Sequence, residues 1–310
     1  MQGLPVTSQR IKAEARRLGF FACGVAKAGR VSFAEEVVLT NWLQAGRHGV
    51  MGYMARNVDK RIDPRRLMPG VKSIVCVAMN YAPENQHGTA SYQFADYALG
   101  KDYHDVVKRR LRQLAESLGL SRYRAFCDSA PVLERYWAVQ AGLGWTGRNR
   151  QLIIPHAGPK CFLGELFLDV ELECDAPMQS RCGRCRRCID ACPTKALTPT
   201  PSGETQLDAR RCISYHTIEN HGDIPPSVAR RLGNRVYGCD ACQDACPWNR
   251  FARPTAEAEF KPADAFLRMA KDDWRRLTED EFRRLFKGSA VKRAKYQGLM
   301  RNIRAVEDNR

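Results

Sequence analysis

Apolar positions in the first half of this chain fall at helical spacing in some stretches and in unbroken runs in others. Residues 8–18 read as a helix and FFACGVA (20–26) as a strand. SFAEEVVLTNWLQAG (32–46) follows as a helix, with Ser32 as N-cap and Glu35 in the capping-box position. Residues 49–70 are a loop-rich connection, and SIVCVAMNY (73–81) carries the continuous apolar run of a buried strand. In residues 103–120, Val106, Val107, Leu111, Leu114 and Leu118 share one face of an amphipathic helix. RYRAFCD (122–128) is a strand that delivers Asp128 at its C-terminal end. Residues 131–144 are a helix started by Pro131 and stopped by glycine. QLIIP (151–155) and residues 161–173 are then strands.

Alternating helices and strands up to about residue 174 describe an α/β or α+β domain of the kind that houses a catalytic site. Residues 175–254 differ in kind, being rich in cysteine and short of long apolar runs. Metal cross-links replacing a core would explain that composition. Residues 255–310 are helical, polar and basic. The whole is expected to be α+β, in three segments: 1–174, 175–254 and 255–310.

Composition narrows the function. In 310 residues, 44% hydrophobic and 27% charged, no apolar run approaches the roughly 18–20 needed to span a bilayer. The N-terminal MQGLPVTSQRIKAEARRLGF has neither an apolar export core nor an Arg-Arg-Phe signal, so a cytoplasmic protein without membrane contact is expected. The net charge of +16 and a pI near 9.5 favour a polyanionic partner such as RNA.

Thirteen cysteines in a reducing compartment point to metal, not disulfides. Cys182, Cys185, Cys188 and Cys192, followed by Pro193, have the spacing of the bacterial ferredoxin run. In that run three cysteines hold one [4Fe–4S] cluster and the fourth reaches across to another. The second run, Cys239, Cys242 and Cys246 before Pro247, lacks a first cysteine, since Val236 stands there. Cys212, the only cysteine between the runs, supplies the missing ligand. Cross-ligation then gives Cys182, Cys185, Cys188 and Cys246 for one cluster, and Cys192, Cys212, Cys239 and Cys242 for the other. Four-cysteine zinc is the alternative, but zinc knuckles pair C-x2-C units and need no third cysteine three residues on. Cys23, Cys76, Cys127, Cys161 and Cys174 read as small buried hydrophobes. Arg181, Arg184, Arg186 and Arg187 interleave with the first run, either to offset cluster charge or to contact phosphate.

With all eight ligands spent on iron, the electrons need another acceptor. No phosphate-cradling or dinucleotide glycine motif is present. GLGWTGRN (142–149), between a helix and a strand, suits a backbone approach to a cofactor. Asp128 is placed to act as an acid or as the N-cap of the next helix. Asp102, Tyr103 and His104 form the other polar concentration.

GKDYHD, DSAPVLER, AGLGWTGRN, CGRCRRCIDACPTKAL, RCISYHTIE, GNRVYGCDACQDACPWNR and KRAKYQGLMRN occur in this order. Together they resemble the epoxyqueuosine reductase family over essentially the whole chain. The resemblance implies a cobalamin-dependent enzyme with two [4Fe–4S] clusters that reduces the epoxide of epoxyqueuosine at the tRNA wobble position. It implies that 1–174 is a cobalamin-binding catalytic domain like that of reductive dehalogenases, and that 175–254 is ferredoxin-like. Asp128 then matches the proton donor, and Arg61, Asp128, Gly147, Arg148, Asn149, Ser214 and Asp240 match positions near the corrin. Tyr103 and His104 fall in the substrate region. Val107 at the glycine position of a D-x-H-x-x-G pattern means that no lower histidine ligand is expected, which eases reduction to cob(I)alamin. Burial is expected to raise the Asp128 pKa. The implied partners are a tRNA with a GUN anticodon and an external low-potential electron donor. Longer members carry HEAT-like repeats beyond the RN motif. Here Lys292, Arg293, Lys295, Arg301 and Arg304 are expected to supply part of the tRNA surface. The rival readings are a reductive dehalogenase-like enzyme, a plain electron carrier and a non-catalytic iron–sulfur RNA-binding protein.

Overall fold

Four strands carry the N-terminal half: β1 (Ala22–Lys27), β2 (Ser73–Asn80), β3 (Tyr123–Phe126) and β4 (Cys161–Leu168). They lie in the order β1-β2-β4-β3, and every neighbouring pair is antiparallel. The computed structural model describes residues 5–84, 91–200 and 203–309. Helices α1 (Ser8–Arg17), α2 (Phe33–Gln44), α3 (Tyr103–Ser117) and α4 (Glu134–Gln140) interleave with the strands in sequence. Alternation along the chain therefore does not produce parallel pairing here, and the domain is α+β.

Both sheet faces are covered, which is why β2 reads as an unbroken apolar run. Ile11 of α1 and Val107 and Leu111 of α3 pack on one face with Val75, Val77 and Leu166. Leu39 of α2 and Trp137 and Ala138 of α4 pack on the other with Ile74, Cys76 and Phe167. Gly24 and Gly164 allow the close approach, since a Cβ at Gly24 would sit 2.0 Å from the Ala141 carbonyl oxygen. Glycine is required there by contact, not by backbone angle.

Three local readings change. The helix expected from Pro131 starts only at Glu134, after a Leu133 cap. Proline disfavours helical geometry in the residue before it, and 128–133 form a loop instead. Cys174 is exposed, unlike the buried Cys76 and Cys127. The connection 49–70 contains a short helix, Val58–Ile62, whose last turn buries Arg61.

The C-terminal half does not stand apart. Tyr92, Phe94 and Leu99 share one core with Ile213, Val236 and Tyr237 and with Trp274, Phe282, Leu299 and Ile303. Two short strands, Gln93–Phe94 and Arg235–Tyr237, pair in parallel across it. Helix α5 (Ile213–Ile218) and the terminal helix α6 (Lys295–Glu307) are tied by two adjacent residues. Asn302, wholly buried, donates to the Thr217 and Val236 carbonyls at 2.8 Å each. Arg301 spreads its guanidinium over the carbonyls of His216, Asn220 and Gly222. The RN of the terminal motif is thus a clasp. Arg301 is spent on it, which corrects its expected place on a tRNA surface.

Candidate functional site

Asp128 follows β3 with φ of 56°, a left-handed backbone that Asp adopts more readily than most residues. Its side chain is 58% exposed. One oxygen, Oδ2, accepts from the Tyr103 hydroxyl at 2.5 Å and lies 3.2 Å from His104 Nε2. The other imidazole nitrogen, Nδ1, is 2.6 Å from Asp102 Oδ1. Asp102 is also the N-cap of α3, accepting from the His104 backbone N–H, so the helix start fixes the imidazole. Tyr103 stacks on Phe162 at 4.3 Å, nearly parallel, and on His104 at 4.1 Å. Arg61 lies close enough for its charge to reach Asp128. Its Nη2 donates to the Tyr53 carbonyl at 3.0 Å, while its buried Nε has no partner.

The electrostatics correct one expectation. Burial pushes the Asp128 carboxyl up, but hydrogen bonds from His104 and Tyr103 outweigh it, and the net direction is down. Burial alone would lower His104, yet hydrogen bonds to Asp102 and Asp128 lift it to about 9. At neutral pH the proton of this couple therefore sits on the imidazole, against an ionised Asp128. Tyr103 is raised by burial and by the Asp128 charge, so it stays a donor.

Two residues behind Asp128 were not found by sequence reasoning. Glu134, half-buried at the start of α4, accepts a hydrogen bond from the Asp128 backbone N–H. Glu165, wholly buried in β4, faces Glu134. A lone glutamate inside the apolar run CFLGELFL was the available signal.

Several of the cysteines lie in groups. Cys182, Cys185, Cys188 and Cys246 line one cavity with Arg148, Asn149, Ile153 and Trp248. Trp145 packs edge-on against Trp248 beside it, at 4.8 Å between rings. Cys242 feels Cys212, Cys239 and Cys192 before any member of the first set. Backbone N–H groups point at the sulfurs: Ala196 donates to Cys192 Sγ at 3.2 Å, Ser214 and Tyr215 to Cys212, and Ala241 to Cys239. Thiolate sulfur is the species such donors stabilise. Among the described residues, no three His, Cys, Asp or Glu side chains converge on a single-ion site. A four-iron cube holds its ligands farther apart than one ion does.

The remaining residues singled out from the sequence lie on three segments. Gly147, Arg148 and Asn149 form the turn between Trp145–Thr146 and Leu152–Ile153. A Cβ on Gly147 would lie 2.4 Å from Ile153 Cδ1. Asn149, buried, reaches the Cys242 carbonyl at 3.4 Å, so this turn abuts the cysteine region. Ser214 sits in α5 directly after Cys212 and Ile213. Asp240 accepts from the Asp96 backbone N–H at 2.7 Å and from Gln243 at 3.1 Å. Burial and the neighbouring Asp96 raise its pKa. No hydrogen bond among the described residues links Arg148, Ser214 or Asp240 to Asp128.

Eight cysteines gathered in two groups are the mark of a double-cluster redox protein. Residues 181–249 match the family model described as a 4Fe-4S double cluster binding domain, and residues 61–129 that described as Epoxyqueuosine reductase QueG, DUF1730. The epoxyqueuosine reductase of Cellulophaga algicola is 44% identical over 302 residues, covering 96% of each chain. A crystal structure of epoxyqueuosine reductase with an epoxyqueuosine-modified tRNA-Tyr stem loop superposes with a TM-score of 0.87 and 26% identity. That match covers 97% of this chain and 80% of the other. A Bacillus subtilis epoxyqueuosine reductase, described with its catalytic aspartate loop swung out of the active site, gives 0.86 and 26%, covering 97% and 81%. The chain belongs to the epoxyqueuosine reductase family.

Proposed function

We propose that this chain reduces the epoxide of epoxyqueuosine in tRNA to give queuosine, using two [4Fe–4S] clusters and a cobalamin. The observation that carries this reading is the His104–Asp128 couple, a stored proton beside an exposed carboxylate. Cys182, Cys185, Cys188 and Cys246 hold one cluster, and Cys192, Cys212, Cys239 and Cys242 the other. The grouping of these thiols and the backbone N–H groups aimed at them support that division.

Arg61, whose buried Nε lacks a partner, and the exposed Asp128 offer a donor and an acceptor to an amide-fringed macrocycle. They fit the corrin of cobalamin, with Gly147, Arg148, Asn149, Ser214 and Asp240 assigned around it. When bound, the corrin supplies the low-potential cobalt chemistry that opens the carbon–oxygen bond. The residues of this chain do the rest. Asp128 relays to the departing oxygen the proton that His104 Nε2, 3.2 Å from its Oδ2, supplies. Asp102 holds the imidazole in register and Tyr103 holds the carboxylate.

Residues 1–174 act as the catalytic segment, 175–254 as the electron-delivery module and 255–310 as a basic helical segment. Lys292, Lys295 and Arg304 are exposed on that segment and suit phosphate contact. Arg293 is partly engaged, pairing with Glu219 at 2.7 Å. The substrate is a tRNA with a GUN anticodon, the electrons come from an external low-potential donor, and the site of action is the cytoplasm. Among the described residues, no helix is long and apolar enough to cross a membrane.

Anaerobically reconstituted protein tests the reading. About eight irons and one cobalt per chain are expected, together with conversion of an epoxyqueuosine-containing stem loop under single turnover. Full cluster loading without corrin uptake or conversion would leave only an iron–sulfur RNA-binding protein.

A further inference from the structure

Behind the exposed face of Asp128 lies a second pair of carboxyl groups. Glu165 sits mid-strand in β4, flanked by its register partners Cys76 on β2 and Phe126 on β3. It is wholly buried, and neither of its oxygens meets a nitrogen or hydroxyl donor among the described residues. Its carboxyl neighbour is Glu134. Two carboxylates cannot both ionise in contact within such a site, because each raises the cost of charging the other. Burial moves both upward, with Glu165 well above its usual range. The arrangement that satisfies both is one shared proton, carried on Glu165 and donated to a Glu134 carboxylate.

That carboxylate has a second task. It accepts the Asp128 backbone N–H, the hydrogen bond that closes the loop from β3 onto α4. A non-glycine residue in left-handed backbone needs such a contact to be held there. The other charged or titratable groups that Glu134 feels are few. Asp128 and Tyr103 lie on the reacting side, Cys127 ends β3, Cys76 lies on β2, and Arg135 is its neighbour on α4. Arg135 is the cation among them, and its side chain is exposed.

We propose that Glu134 is a positioning residue for proton delivery, and that the Glu134–Glu165 pair is a latch holding the Asp128 loop in its working conformation. The latch is closed while the pair carries one proton. A second proton, added as pH falls, turns the charged acceptor into a weaker neutral one and loosens Asp128. This inference rests on Asp128 acting as the proton donor proposed above. The Bacillus subtilis relative is described with its catalytic loop swung out of the active site.

Amide exchange and pH–rate profiles on the reconstituted holoenzyme test it. Glu134→Gln should speed exchange of the Asp128 amide about tenfold, the loss of a charge-assisted bond, and abolish the acid limb of the single-turnover rate. Glu165→Leu removes the donor to Glu134, so that limb should move up by about one pH unit. Glu165→Gln keeps a donor and should restore the native limb. Unchanged exchange in Glu134→Gln, or coincident limbs in the Leu and Gln variants, overturns the latch. Because exchange is read without turnover, a failure of Asp128 as donor appears separately, as native turnover in Asp128→Asn.

Discussion

His104 Nε2 stands 3.2 Å from Asp128 Oδ2, while its Nδ1 is held 2.6 Å from Asp102. An imidazolium between two carboxylates keeps its proton well past neutrality, because losing it would leave two unneutralised anions. Asp128 is therefore a carboxylate with a proton one hydrogen bond away.

Asp128→Asn should keep both clusters and the corrin and lose most turnover. Asparagine preserves size and hydrogen bonding but cannot relay a proton. General acid catalysis is worth about 10²–10⁴ in rate, so a loss of that size is expected with chemically reduced cofactor in single turnover. Supplying electrons from outside removes cluster wiring as an explanation. Near-native rates would reduce Asp128 to a loop residue.

The alkaline limb belongs to His104. Its folded pKa is raised from 6.5 to about 9, so its ion pairs persist at neutral pH and are lost as pH rises through 9, while their contribution to stability is full below about 6.5. The single-turnover rate should fall over the same upper window. His104→Gln should be slower throughout and lack that limb. A wild-type profile flat to pH 10 would place the proton elsewhere.

Cys212 lies outside both cysteine runs, yet backbone N–H groups of Ser214 and Tyr215 point at its sulfur. Cys212→Ser should lower iron by about one cluster's worth, roughly four atoms per chain. Cys174→Ser, at an exposed thiol, should leave iron intact. Equal iron in the two variants would contradict the cross-ligation scheme.

Binding of the stem loop should weaken steeply with salt, as lysine and arginine contacts release counterions. Replacing Lys292, Lys295 and Arg304 together with alanine should lower affinity and flatten that salt dependence at constant iron content. Arg301→Ala should behave differently. Its guanidinium clasps three carbonyls near α5, so its loss should appear first as a lower melting temperature. An affinity independent of salt would mean that charge is not the anchor.

The sequence by itself determined the parts whose information is local. Cysteine spacing marked residues 181–249 as a double-cluster segment, because a cluster needs its sulfurs within a few residues of one another or across one crossing. The apolar runs located the four sheet strands, and the terminal RN motif could be recognised before its role was known. Strand direction was different. Antiparallel pairing of β2 with both β1 and β4 follows from how distant segments return across the sheet, which no local pattern encodes. The protonation of Asp128 was also decided only in three dimensions. Burial alone argued for a raised pKa, but Tyr103 and His104, 25 and 24 positions away in sequence, bond to one of its oxygens and reverse the sign. Glu134 and Glu165 show the same limit. They lie 31 positions apart, and only the packing of α4 against β4 brings the half-buried Glu134 to the wholly buried Glu165.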